Sequence, residues 1–187
     1  MEKEKKAIRR RMNLSRDNIS ASERQIFSKV ICTGVISMRE YAEAGVILLF
    51  STYRSEVDTS LILKSALEQG KKVYYPKVEG DDIVFHRVFD EIKLAPGYRG
   101  IPEPDISLPV FEYNENEKCV CVCPGSAFSE SRQRLGYGGG FYDRFLAGKD
   151  KLFKCGICFD CQINRTLPCD ENDILMDRVI TEKRTIS

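Results

Sequence analysis

Apolar positions near the start of the chain recur at helical spacing. Ile8 and Met12, with Lys5 and Arg9 beside them at steps of three and four, predict an N-terminal helix with an apolar edge and a basic flank. Such a helix is expected to be solvated and to add little to the core. "SASE", residues 20–23, has the capping-box form and opens a second helix. In it Ile26, Phe27, Val30, Ile31, Val35 and Met38 keep the helical period.

The pattern then changes. "VILLF", residues 46–50, is a continuous apolar run of the kind that forms a strand buried on both faces. After the loop "STYRSE", Asp58 is placed to cap a helix containing Leu61, Ile62, Ala66 and Leu67, closed by Gly70. "KVYYP", residues 72–76, is the next strand, which makes a β-α-β unit with a parallel sheet and a right-handed crossover. "VEGDDIVFHRV" places a Gly-Asp turn between two β-rich runs and predicts a hairpin or an added edge strand.

Residues 90–118 are rich in turn formers and read as a long surface excursion, a type of segment that often covers a site. "CVCVCPG", "FKCGICF" and "DRVITE" supply three further strands. The expected fold is α/β: a three-layer sandwich around a mainly parallel sheet, with the N-terminal helices packed on it, in a single domain over residues 1–187.

Composition narrows the functions. With 29 Lys+Arg against 28 Asp+Glu the formal charge is +1, so no whole-molecule field points to nucleic acid or anionic lipid. "MEKEKKAIRRRM" holds no apolar run of a secretory signal, and no later stretch approaches bilayer length, so the expectation is a cytoplasmic chain without a membrane. In that compartment the eight cysteines are expected to be reduced thiols that pack as small hydrophobes. Cys155, Cys158, Cys161 and Cys169 imitate a metal-binding run, but the last gap fits no familiar spacing and Cys158 would face away from Cys155 on a strand. The sole histidine, His86, falls in the alternating "IVFHRV", where an exposed or edge position is the ordinary reading, so a triad mechanism has little to stand on.

The densest chemistry lies in "SRQRLGYGGGFYDRFL", residues 131–146. "GYGGG" is neither a Walker A loop nor a dinucleotide fingerprint, since Phe141 occupies the last position. Glycine nonetheless allows positive φ and close backbone approach, so consecutive amides can form an anion cradle ahead of the helix starting near Phe141. Arg132, Arg134 and Arg144 flank that cradle. Asp143 in the first turn, and the acids of "DENDI", residues 170–174, are natural oxygen donors to Mg²⁺ beside a phosphate. An ATP-dependent enzyme is the expectation these residues suggest.

"CPGSAFSESRQRLGYGGGFYDRFL" resembles the signature of the 5-formyltetrahydrofolate cyclo-ligase family (methenyltetrahydrofolate synthetases), PGxAF, a spacer, then RLGxGxGYYDR. "KKAIRRRM", "SEVDTS", "GIPEP" and "ENDILMD" match four further elements of that family in order. Ser129, Arg132, Pro102 and Phe141 depart from the pattern: an acid, a glycine, a leucine and a tyrosine are usual there.

The resemblance implies ATP- and Mg²⁺-dependent cyclisation of 5-formyltetrahydrofolate by a monomer. It implies that Lys5 and Arg9 reach nucleotide phosphates and that Arg134, Leu135, Gly136, Tyr137, Gly138, Gly139, Gly140, Phe141 and Tyr142 form the nucleotide loop. Arg134, Gly138 and Tyr142 would be catalytic, and Phe50, Glu56, Tyr137 and Gly138 to Gly140 would meet the folate. Asp143 and Asp173 would hold magnesium.

Two other readings compete. One is a different phosphate-binding α/β enzyme, against which Glu56 argues, since an acid suits the donors of a pterin ring and serves no purpose near phosphate. The other is a nucleic-acid module built on the basic N-terminal helix, against which the near-zero charge and the lack of aromatics among the basic residues argue.

Overall fold

The computed structural model describes residues 1–89, 94–170 and 173–187. The first part of the expected excursion, residues 90–93, and residues 171–172 of the acidic segment lie outside the described residues. Helix α1 spans Glu2–Asp17, α2 Ala21–Ile36 and the short α3 Arg39–Glu43. Ser20 caps α2 in a complete capping box with Glu23, as the sequence predicts. Strand β1 (Val46–Leu48), helix α4 (Ser60–Glu68) and strand β2 (Lys72–Glu79) form the β-α-β unit, and β1 pairs with β2 in parallel. Helix α4 begins one step later than expected: Thr59 is the N-cap, and Asp58 accepts from the Ser60 amide at 2.9 Å.

Strand β3 (Asp82–Val88) folds back on β2 as an antiparallel hairpin, and two short strands, β4 (Ala95–Pro96) and β5 (Pro102–Glu103), pair within the excursion. Then come β6 (Cys119–Cys123), β7 (Ala127–Ser129), β8 (Arg134–Leu135), α5 (Phe141–Leu146), β9 (Phe153–Ile157), β10 (Ile163–Asn164), β11 (Arg178–Ile180) and β12 (Thr185–Ile186). The main sheet has the order β12-β11-β9-β6-β1-β2-β3. Its central strands are all parallel, and the antiparallel pairings involve only the edge strands β12 and β3.

Alternation along the strands fills two cores. Ile47, Leu49, Val120, Val122, Cys155 and Ile157 join residues of α2 and α4 on one face. Val46, Leu48, Cys119, Cys121, Cys123 and Cys158 join Leu146 of α5 on the other. This is the expected three-layer arrangement, and it places Cys155 and Cys158 on opposite faces. Among the described residues all eight cysteines are free thiols, and no cluster of three or more His, Cys, Asp or Glu side chains could hold a metal ion.

Three expectations change. His86 does lie on the edge strand, but it is buried, because residues 109–111 run along the free edge of β3. Phe111 donates to the Phe85 carbonyl and Arg87 to that of Pro109, both at 2.7 Å. Ile26 and Val30 of α2 are exposed, whereas Ile31, Val35 and Met38 are buried. Helix α1 is not merely solvated: Lys5, Met12 and Arg16 are buried. No helix among the described residues is long and apolar enough to cross a membrane.

Candidate active site

Lys5, Arg9, Met12 and Arg16 follow one another at steps of four, three and four, so they form one stripe along α1 about 16 Å long at 1.5 Å per residue. Met12 anchors the stripe, packing in a small apolar cluster with Ala127, Leu135 and Leu167. The three cations then reach three different segments. Lys5 Nζ donates to Asp173 Oδ2 at 2.7 Å and to Asp170 Oδ2 at 2.9 Å. Burial disfavours its charge, but the hydrogen bonds to these two acids more than offset that and hold its pKa above the ordinary lysine value. Arg9 Nε donates to the carbonyl of Gly136 at 2.9 Å. Arg16 reaches the hydroxyls of Ser55 and Tyr137, at 2.9 and 2.8 Å.

The glycine loop connects β8 to α5. Gly138 has φ 102° and Gly140 φ 67°, both in the left-handed region that glycine alone adopts freely. A side chain at Gly139 would strike the ring of Phe141 at 2.7 Å. The carbonyls of Gly136 and Gly139 point at Arg9 and Arg144, so the trans peptides turn the amides of Tyr137 and Gly140 the opposite way. Arg144 also binds Asp82 Oδ1 at 3.0 Å and the Asp81 carbonyl, which ties α5 to the hairpin.

Arg134 stands behind the loop rather than beside it. Its buried guanidinium donates to Asp143 Oδ1 at 2.8 Å and to the Pro124 carbonyl at 3.3 Å, and lies 5.4 Å from the Tyr142 ring centroid. Burial disfavours its charge, and the Asp143 carboxylate outweighs that. Among the described residues Arg134 Nε and the Tyr142 hydroxyl are buried without a hydrogen-bond partner. Arg132 turns away to the Asp177 carbonyl at 3.3 Å, so the flanking cations are Arg9 and Arg144 instead. Arg132 itself has φ 65°, which accounts for the glycine usual at that position.

Asp143 lies beside the segment that carries Asp173. The amide of Ile174, the residue after Asp173, is 3.5 Å from Asp143 Oδ1. Each carboxylate already faces a cation, Asp143 meeting Arg134 and Asp173 meeting Lys5. Oδ2 of Asp143 has no hydrogen-bond partner among the described residues. Hard carboxylate oxygens suit Mg²⁺, which takes one or two protein carboxylates and completes its shell from phosphate and water. The donor set therefore fits magnesium bound together with a phosphate ligand.

At the other end of the stripe, Glu56 Oε2 accepts from the Tyr53 amide at 2.9 Å, and Oε1 accepts from the Tyr137 hydroxyl. Arg16 Nη1 stands 4.0 Å from Oε1. Burial pushes the Glu56 carboxyl above the ordinary glutamate value, while the hydrogen bonds and Arg16 pull the other way. The excursion closes over this end: Tyr53 donates to the Arg99 carbonyl at 3.0 Å, and the Tyr98 ring meets Phe141 edge-on at 5.7 Å between centroids.

The structure thus gathers Lys5, Arg9, Glu56, Asp173 and the glycine loop along one helix face, with Arg134 and Asp143 paired behind the loop. Phe50 is buried in the core cluster with Val57, the residue after Glu56, and Ile62. Leu135 is part of the Met12 cluster and so supports the loop from below. Sequence reasoning missed Arg16, Ser55 and Tyr53. For Arg16 the signal was present, since it continues the spacing of Lys5, Arg9 and Met12 by one more helical turn.

A sequence model of the 5-formyltetrahydrofolate cyclo-ligase family matches residues 1–182. The chain is 30% identical over 171 residues to a probable 5-formyltetrahydrofolate cyclo-ligase of Schizosaccharomyces pombe, covering 83% of this chain and 84% of the relative. It is 28% identical over 175 residues to the 5-formyltetrahydrofolate cyclo-ligase of Escherichia coli K12, covering 89% and 93%. The solved structure of Aquifex aeolicus 5,10-methenyltetrahydrofolate synthetase superimposes with a TM-score of 0.83 at 31% identity, over 97% of this chain and 91% of that one.

Proposed function

Because the chain belongs to the 5-formyltetrahydrofolate cyclo-ligase family, we propose that it uses ATP and Mg²⁺ to cyclise 5-formyltetrahydrofolate to 5,10-methenyltetrahydrofolate, releasing ADP and phosphate. The observation that carries this reading is the α1 stripe, which joins an acid pair, a glycine loop and a buried glutamate along one face.

The oxygen of a formyl group carried on nitrogen is a poor leaving group from its carbon. Its attack on the γ-phosphorus, with ADP departing, turns it into a phosphate ester on an iminium-like carbon. N10 of the folate then attacks that carbon, and phosphate leaves with the oxygen and the bonding electrons. A proton from N10 goes to solvent or phosphate.

The chain's part is to bind, orient and compensate charge. Lys5 and Arg9 face the phosphates, and Gly138, Gly139 and Gly140 let the backbone approach where the phosphoryl group passes. Arg134 supplies positive charge from behind the loop, where it is paired with Asp143. Glu56 accepts from donor groups of the pterin, and Asp143 and Asp173 hold Mg²⁺, which when bound neutralises phosphate charge.

The test is to mix the purified protein with 5-formyltetrahydrofolate, ATP and Mg²⁺ and follow methenyl product by its absorbance. Product that appears only when both nucleotide and metal are present is the expected result. Equal rates without ATP would overturn the reaction class.

A further inference from the structure

We propose that Arg16 is a positioning residue for Glu56, the acid assigned to folate. Through Tyr137 it favours the ionised form of Glu56 and fixes how many acceptor sites are left for the substrate, and through Ser55 it holds the loop that carries Glu56. This rests on the reading of Glu56 as the folate-binding acid.

Arg16 is a buried cation, 5% exposed, in the last turn of α1, and among the described residues its carboxylate neighbour within ion-pair range is Glu56, 4.0 Å away. It acts through two hydroxyls. Nε donates to Ser55 Oγ, and Ser55 donates onward to Asp17 Oδ1. Nη1 donates to the Tyr137 hydroxyl, which donates to Glu56 Oε1.

The polarity of this second chain is fixed. A guanidinium has no acceptor, so the tyrosine oxygen must receive from it and give its single proton to the glutamate. Glu56 is therefore an acceptor at both oxygens, which favours the ionised form in a place where burial favours the neutral one.

The count of acceptor sites then follows. An ionised carboxylate offers about four lone-pair sites. The Tyr53 amide and the Tyr137 hydroxyl occupy one on each oxygen, which leaves one on each for a substrate presenting two adjacent N–H donors. Arg16 also spans two separate segments, the loop after β1 that carries Ser55 and Glu56, and the glycine loop that carries Tyr137. It therefore sets the distance between Glu56 and the loop that handles phosphate.

The competing account is that Arg16 only fastens α1 to the sheet. A double-mutant cycle separates the two, because a fastening role harms both substrates and adds to other lesions. Initial rates would be measured against each substrate for wild type, Arg16→Gln, Arg16→Lys, Tyr137→Phe, Glu56→Gln and the Arg16→Gln/Glu56→Gln pair.

Loss of a charge-assisted hydrogen bond corresponds to roughly a tenfold change. Arg16→Gln is expected to raise the folate KM about that much while leaving the ATP KM within about twofold, and Arg16→Lys to recover part of the loss. In the Glu56→Gln background, Arg16→Gln should add less than about twofold. Tyr137→Phe keeps the cation in place and should raise the folate KM several-fold, which preserves the test if Arg16→Gln fails to fold.

A full additional loss on top of Glu56→Gln, an equal rise in the ATP KM, or a wild-type folate KM for Tyr137→Phe would overturn the positioning role and leave the Glu56 assignment standing. An unchanged folate KM for Glu56→Gln alone would overturn the assignment itself.

Discussion

Asp143→Asn separates two demands placed on one carboxylate. Asp143 is assigned to magnesium, yet it is also the counter-ion of Arg134, whose side chain is 3% exposed against 19% for the acid. Removing one partner of a buried ion pair costs about 3–5 kcal/mol, because the remaining charge stays desolvated. Here the acid reaches solvent, and asparagine keeps one acceptor oxygen at the 2.8 Å contact, so the cost falls to about 2 kcal/mol. For a chain of this length each kcal/mol lowers Tm by roughly 2–4 °C, giving a fall of roughly 4–8 °C.

The assay is thermal unfolding followed by circular dichroism, without nucleotide and with or without Mg²⁺. The fall should be present in metal-free buffer, and added Mg²⁺ should not remove it, even if high Mg²⁺ partly restores turnover. A variant that melts within about 1 °C of wild type in metal-free buffer would refute the claim that Asp143 is needed to hold Arg134.

Three further outcomes follow from the same geometry. Burial raises the Glu56 carboxyl and the Tyr137 hydroxyl opposes that rise, with Arg16 facing the group from α1; removing the hydroxyl disfavours the ionised form further. In Tyr137→Phe the acid limb of folate kcat/KM should therefore move to higher pH, and a limb that stays put or moves down would contradict this. Gly140→Ala forces a side chain to φ 67° with its Cβ 2.7 Å from Arg144 Nη1, so Tm should drop by roughly 2–6 °C, and an unchanged Tm would count against a required left-handed cap. Prolonged treatment with a zinc chelator should leave Tm unchanged, since the cysteines alternate into separate cores, and a fall of several degrees would reveal a structural metal.

The parts of the fold legible in the sequence were those with short-range causes. The capping box at Ser20 and Glu23 and the turn at Gly80 between β2 and β3 are set by neighbouring residues, and both are where the spacing put them. The cysteine–valine alternation of β6 separates the two faces as a period of two requires.

What could not be read depends on distant segments. His86 is buried because residues 109–111 cover its edge, and its imidazole nitrogens meet the Leu108 carbonyl at 2.9 Å and Glu79 Oε1 at 3.1 Å. Nothing local in "IVFHRV" announces that cover. Helix α1 looked solvated because its charges outnumber its apolar residues. Lys5 and Arg16 are nevertheless buried, since acids and hydroxyls from segments far along the chain receive their heads. The candidate site was legible as a motif; its assembly by one face of α1 was not.

The central claim is that this face joins a nucleotide half-site at Lys5 to a folate half-site at Glu56, and two-substrate kinetics of Lys5→Ala and Glu56→Gln, run in parallel, test it most directly. Each variant loses charge-assisted hydrogen bonds at one end of the stripe, which corresponds to roughly a tenfold or greater effect on the substrate bound there. Lys5→Ala should raise the KM for ATP with the folate KM within about twofold, and Glu56→Gln should do the reverse. Both variants impairing the same substrate, or Glu56→Gln acting on ATP alone, would contradict the account.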